Sequence, residues 1–349
     1  MNSQQIAQLR LQQQQLLPAH IARPADLVRW MGCIQAQDYA GAKWAIGNRV
    51  KGSTDAGIEQ DFNNGLLLRT HVLRPTWHFV SPEDIGWMLQ LTGPKIKAFN
   101  KNLHTKLGIS DKDLKRSKTI IANALRDHHY LTRNALAPLL TKAKINTDDI
   151  RLGFLLMDAE LDGLICSGPR QGKQFTYALL SDRAPALPSI DREEAMARLT
   201  RLYFCSRGPA TVNDFQWWSG LNMTDVKKGL QLNNDILTHI VANGQAYWFS
   251  KDAHPAMKPK AATLLLPAYD EYAVAYKDRS DILHTSHHVA AGYGIFKPIV
   301  VVNGQISGTW SRKEVKNKII VDTQLLPHSK TGDAAVARAA AAYTAFLGK

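Results

Sequence analysis

One order of signals recurs along this chain, and it limits the folds open to it. In residues 113–180 the apolar spacing predicts a helix over about 115–126. Thr132 is placed to cap a second helix through about 140. A third begins at Thr147-Asp148-Asp149, whose acidic side chains suit a first turn, and continues to about 161. "GLICSGPRQGKQFTYALL" then reads as two strands around the turn "GPRQGK". Three helices followed by a two-stranded hairpin is the winged-helix order, a variant of the helix-turn-helix. The order returns in residues 192–250. A helix runs to about 205, Thr211 caps a short helix through 218, and Asn222 or Thr224 caps a third. "LTHIVANGQAYWF" closes this copy as a hairpin on Asn243-Gly244. The first third fits a looser copy, with helices over about 3–16, 24–37 and 54–64 and strands on either side of Leu73-Arg74-Pro75.

After Pro259 the character changes. "ATLLLPAYDEYAVAY", "KPIVVVNGQISGTW" and "KIIVDTQLL" are β-rich, with a second Asn-Gly turn at Asn303-Gly304, and "DAAVARAAAAYTAFL" is a closing helix. The fold class expected is therefore α+β: tandem winged-helix domains followed by a small C-terminal β-barrel or sheet. The expected divisions are 1–94, 95–184, 185–258 and 259–349, with linkers near Gly93-Pro94 and in "DRAPALPSI".

The longest apolar runs fall far short of a membrane span. The glutamine-rich N-terminus has no apolar core and reads as a helix, not a signal peptide. Cys33, Cys166 and Cys205 are far apart and odd in number, which suits a reducing cytoplasm. The net charge of +13 is uneven. Residues 95–180 hold 15 basic and 8 acidic side chains, and residues 251–349 hold 13 and 8. Basic patches suit a polyanion, and equally suit solubility alone. "HTSHH" places His284, His287 and His288 within five residues, yet no further ligands stand nearby, and His128-His129 is read the same way. No metal and no cofactor are expected. No Gly-rich phosphate loop, Ser-His-Asp order or zinc-deaminase motif is present.

"WMGCIQAQDYAGAKWAI" poses the sharpest question. Gln35 and Gln37 flank one alanine in apolar, small and aromatic surroundings. A desolvated amide without partners costs on the order of 1–3 kcal/mol. On an ideal helix two such positions point roughly 200° apart. Both side chains reach one place only if the segment bends, ends or turns there, and Ala40-Gly41 fits a helix terminus. On the residues alone two readings stay open: structural amides with internal partners, or a pair that serves a reaction.

Four stretches, "IQAQDY", "LLLRTHVLRPTWHFV", "GPATVNDFQWWSGL" and "LLPAYDEYAVAYKDR", together with "GIFKPIVVVNGQISGTW", resemble the AlkZ/YcaQ-like DNA glycosylases. They occur in the expected order over most of the chain. The resemblance implies tandem winged helices and a small barrel around a basic channel, and excision of alkylated bases, crosslinked ones included. It also implies that a Gln-x-Gln, or in relatives Gln-x-Asp, is the catalytic motif. Here that motif falls on Gln35 and Gln37, with Asp38 directly following as a possible support. The partner implied is double-stranded DNA carrying alkylated bases.

The chemistry is compatible with amides. A cationic N3- or N7-alkylated purine is a good leaving group and needs no general acid. An amide oxygen accepts from an attacking water and turns its dipole toward the positive sugar, without being a strong base. In "RTHVLRPTWH", Arg69, His71, Arg74 and His78 alternate with apolar residues, so several share a strand face and are candidates for phosphate or lesion contact. Arg170, Gln171 and Lys173 on the "GPRQGK" tip are further candidates. Asp270 and Glu271 either favour a cationic sugar or brace a basic cluster, and bracing suits carboxylates near phosphates better. Trp217-Trp218 offers a stacking surface, or core. Tandem wings in one chain form a groove unaided, so a monomer is expected. The alternative is a winged-helix regulator or damage binder without catalysis.

Overall fold

The computed structural model describes every residue except 128, 149, 187–189, 255–260, 284–296, 317, 328 and 330. Asp149, His128 and the trio His284, His287 and His288 therefore lie outside the described residues, as does 294–296 of "GIFKPIVVVNGQISGTW". The chain divides into two compact units: residues 1–59 with 196–349, and residues 60–195.

The first unit opens with α1 (Ser3–Gln13), held by a capping box between Asn2 and Gln5, and α2 (Pro24–Met31), with Pro24 in its first turn. Gly32 follows α2 at φ 73°, a conformation that ends the helix there rather than at 37 as the periodicity suggests. Strand β1 (Cys33–Gln35) takes up the residues assigned to that helix. Asp38 then caps α3 (Tyr39–Gly47), whose first turn holds the Ala40-Gly41 pair. The chain leaves the unit within α4 (Asp55–Asn63).

The second unit contains the hairpin β2 (Leu68–His71) and β3 (Trp77–Val80), in register Leu68↔Val80 to His71↔Trp77. The linker expected at Gly93-Pro94 is instead the middle of α5 (Ile85–Lys106). Pro94 gives up one ladder bond, and the helix persists because it packs closely on a later one. A Cβ on Gly93 would stand 2.9 Å from the carbonyl oxygen of Leu161. The recurrent pattern follows: α6 (Asp111–Leu125), β4 (Leu131–Thr132), α7 (Arg133–Lys142), α8 (Arg151–Leu161), then β5 (Ile165–Ser167) and β6 (Thr176–Leu179). Ser110 caps α6 and Thr132 caps α7. The three strands pair in the order β4-β6-β5. Ile121, Leu125, Leu136, Leu140, Leu155 and Ile165 form the core between helices and sheet. Each such side chain contributes roughly 1.5–3 kcal/mol on burial. The unit ends through α9 (Leu180–Arg183) and the start of α10 (Arg192–Arg207).

Back in the first unit, α11 (Val212–Ser219) carries a Thr211–Asp214 capping box, and Asn222 caps α12 (Met223–Gln231). The hairpin β7 (Leu237–Ala242) and β8 (Gln245–Ser250) turns on Asn243-Gly244, both at positive φ. Of the tryptophan pair, Trp218 is fully buried and Trp217 is 43% exposed.

The last region departs from a barrel. Strands β9 (Thr263–Leu266), β10 (Ile299–Val302), β11 (Gln305–Val315) and β12 (Lys318–Leu325) form an antiparallel sheet in the order β12-β11-β10-β9. Among the described residues the sheet is open. Four strands are too few to close around a packed interior. "YDEYAV", expected to continue a strand, is instead the short helix α13 (Glu271–Val274), because Asp270 caps it by accepting from the Tyr272 amide. The closing helix is α14 (Asp333–Phe346). No described helix is long and apolar enough to cross a membrane.

Candidate active site

Gln35 and Gln37 sit at a strand-to-helix junction. Gln35 ends β1, Ala36 and Gln37 turn, and Asp38 opens α3 by accepting from the Gly41 amide at 3.1 Å. Gly41 is required there. A Cβ would lie 2.6 Å from Asp38 Oδ2 and 3.2 Å from Pro267 Cβ. The two amides differ in environment. Gln35 is 5% exposed, and its Oε1 accepts from the Gln37 backbone amide at 3.0 Å. Gln37 and Asp38 are exposed. The buried glutamine thus shapes the turn that carries the exposed one.

The junction is fixed from behind by residues distant in sequence. Glu271 Oε1 accepts from the Gln35 amide at 2.9 Å, while its Oε2 accepts from Arg207 Nε at 2.9 Å and Trp218 Nε1 at 3.0 Å. Arg207 in turn donates to the carbonyl of Met31 at 2.6 Å and to that of Cys33 at 2.7 Å. One buried ion pair therefore engages both the donor and the acceptor side of the strand that ends in Gln35. The Arg207 guanidinium also lies 4.4 Å from the Trp218 ring centroid. Beside it, Asp270 takes a two-pronged contact from Arg49 at 2.7 and 2.8 Å, and Arg49 binds both oxygens of Gln14. Asp270 and Glu271 are thus each committed to a buried arginine. Lys43 donates to Asp55 and Glu59, both at 2.8 Å.

A cavity of about 100 Å³ opens beside Asp38, walled by Trp44, Pro267, Trp310, Arg312 and Tyr343. Trp44 and Trp310 are anchored by donating to the carbonyls of Leu265 and Leu266.

The remaining candidates lie in the second unit. Arg69 and His71 share one face of β2, opposite Phe79 and Trp77, whereas His78 lies on the other face with Thr70. Arg69 is 7% exposed, His71 6% and His78 fully buried, so the first two are packed wall and the third is interior. His71 Nδ1 meets Glu160 in a short contact, and His78 Nδ1 faces the carbonyl of Thr76. Burial pushes the Glu160 carboxyl up, against the opposing pull of His71 and then Arg69. Arg74 is half-buried in the hairpin turn, Arg170 lies 4.5 Å from the Phe175 ring, and Gln171 and Lys173 are exposed at the tip. His129 is exposed, and among the described residues no cluster of His, Cys, Asp and Glu is arranged to hold a metal.

Arg207 and Arg49 are the residues that sequence reading misses, and Trp218, read as core or stacking surface, also donates to Glu271. An arginine reads as surface unless the carboxylate that neutralises it is known, and here that carboxylate stands 64 residues away for Arg207 and 221 for Arg49.

An α+β chain of this architecture, with a glutamine carried on a braced strand-to-helix turn, is matched over residues 28–346 by the family model for DNA glycosylase AlkZ-like proteins. The chain belongs to that family. A Streptomyces sahachiroi protein named interstrand DNA cross-link repair glycosylase is 25% identical over 345 residues, covering 93% of this chain and 92% of the relative. The solved structure of the Streptomyces sahachiroi DNA glycosylase AlkZ matches with a TM-score of 0.81 and 23% identity, covering 98% of this chain and 95% of that one, and so has the same fold.

Proposed function

We propose that the chain is a monofunctional DNA glycosylase that hydrolyses the N-glycosidic bond of cationic alkylated purines in duplex DNA, with Gln37 and Gln35 positioning the water. The name of the Streptomyces relative extends the substrate class to interstrand crosslinks. The observation that carries the reading is the division of labour at the junction. Gln35 is buried and tied to the turn, and Gln37 is presented at the exposed start of α3.

In this scheme the Gln37 amide oxygen accepts from a water beside C1′. As the bond to the base lengthens, positive charge grows on the sugar, and the amide dipole offsets it. The departing base already carries positive charge, takes the bonding pair and leaves neutral without a protein acid, while the water adds to C1′ and releases its proton to solvent. Gln35 sets the turn, Glu271 fixes the Gln35 backbone, and Asp38 holds the helix start. The segments 95–184 and 185–258 serve as winged helices that grip the duplex, with the "GPRQGK" tip on the phosphates, in a monomer.

The buried placement of Gln35 also favours a second reading, a DNA binder in which both amides are structural. One experiment separates them. Duplex containing 7-methylguanine is incubated with the protein and then treated with alkali. Cleavage at the lesion supports the glycosylase, and intact strands despite measured binding support the binder.

A further inference from the structure

We propose that the cavity in residues 60–195 is a nucleotide pocket, which takes one unpaired nucleotide of a DNA strand with its base on an aromatic wall and its phosphate at a cationic rim. This rests on the reading of the chain as a DNA-binding protein. The cavity holds about 470 Å³, within the range of small-molecule sites.

Its wall is aromatic and rigid. Trp77, Phe175 and Tyr177 line it. The Arg69 guanidinium lies 4.2 Å from the Trp77 ring centroid and 4.5 Å from that of Phe175, so it is packed against both. Trp77 is itself held by the His71 ring, 3.9 Å away, and His71 is held by the buried Glu160. The Arg69 backbone amide donates to Ser167 Oγ at 2.8 Å, which fixes the floor.

The rim has the opposite character. Arg133 and Lys173 are exposed at its edge, two cations on a lining without a carboxylate, while Arg69 is packed into the wall. Asn134 and Gln174 add side-chain amides, which offer both donors and acceptors. An inorganic anion would not require three aromatic rings, and an apolar ligand would not require two exposed cations. A nucleoside 5′-phosphate satisfies both at once. Base-on-aromatic contact of this kind tolerates any sequence, because every base presents a π face.

Two sources of that ligand exist, the free nucleotide and a nucleotide in a strand, and the test separates them. The full chain at 150 mM salt is titrated by anisotropy with a blunt duplex and with the same duplex bearing a short 5′-overhang, and separately by calorimetry with dAMP and with inorganic phosphate. The overhang is expected to bind about tenfold more tightly than the blunt duplex. Phe175→Leu and Arg133→Gln should each remove that preference. Arg133 is exposed, so its variant reports even if Phe175→Leu fails to fold. Equal affinity for the two duplexes overturns the pocket and leaves duplex binding standing. A preference that survives both substitutions also overturns it, as does phosphate binding as tight as dAMP. If neither DNA binds but dAMP does, and Phe175→Leu abolishes this, the pocket takes free nucleotide and the DNA reading fails. If dAMP and both DNAs fail to bind, both readings fall.

Discussion

Glu271 accepts a hydrogen bond at 2.9 Å from the backbone amide of Gln35, a residue 236 positions earlier. The carboxylate that receives this amide also receives Arg207, which holds two carbonyls of the same segment. Geometry at the candidate water-holding turn is thereby tied to a buried ion pair.

Glu271→Gln should therefore act twice. It leaves Arg207 without its counter-charge, at a cost of about 3–5 kcal/mol. It also loosens the turn, so excision per folded molecule should drop while duplex affinity stays near wild type. A single-turnover rate, normalised to the folded fraction and found equal to wild type, would show that Glu271 supports the fold alone.

The two glutamines should respond differently. Gln37 is exposed, so Gln37→Ala should shift stability by no more than about 0.5 kcal/mol. Its excision rate should fall about 10²-fold or more, by analogy with loss of one preorganised group. Gln35→Ala removes the acceptor for the Gln37 amide and should cost roughly 1 kcal/mol of stability as well as rate. Thermal melts beside single-turnover excision of 7-methylguanine check both. Wild-type excision by Gln37→Ala sinks the assignment.

Duplex binding should weaken steeply with salt. With six or more phosphates neutralised, affinity should fall roughly 10³-fold between 50 and 200 mM. A flat titration over that range removes nucleic acid as the partner.

The product should be an intact abasic site. Lys43, the amine nearest Gln37 in sequence, is engaged by two carboxylates and is not set to attack C1′. Borohydride should trap no covalent adduct, and activity should survive EDTA. A trapped species on denaturing gels contradicts the mechanism.

Glu160 gives a pH signature. Burial raises its carboxyl, so the folded state binds that proton more tightly than the unfolded state. Its stabilising contribution is complete below the ordinary value of 4.5 and is lost as pH rises through the raised one. Relative to Glu160→Gln, which is neutral throughout, the wild-type melting temperature should decline as pH increases from about 4.5. A difference curve that is flat or rises with pH rejects this.

Local signals carried the second and third helical segments. Thr132, Thr211 and Asn222 cap as their sequence positions indicate, and Asn243-Gly244 and Asn303-Gly304 turn their hairpins, because caps and tight turns are settled within four residues. The junction at Gln35 was not legible in the same way. Its apolar run suits a helix as well as a strand, and the left-handed Gly32 decides between them. Likewise Gly93-Pro94 reads as a break, yet a close approach by Leu161 keeps the helix intact. The motif's residues were visible. The arginines and carboxylates that hold it were not, since their pairing is a property of the folded chain.

The order of synthesis gives the Glu271–Gln35 contact a further meaning. A ribosome completes residues 60–195, a contiguous unit with its own core, while Gln35 still lacks its acceptor. Arg49 and the Gln35 amide, made early, must wait for Asp270 and Glu271 before they are matched. A nascent or truncated chain ending before 271 thus displays the glutamine pair without the brace that shapes it, and the geometry of the candidate turn is complete only once Glu271 has been made.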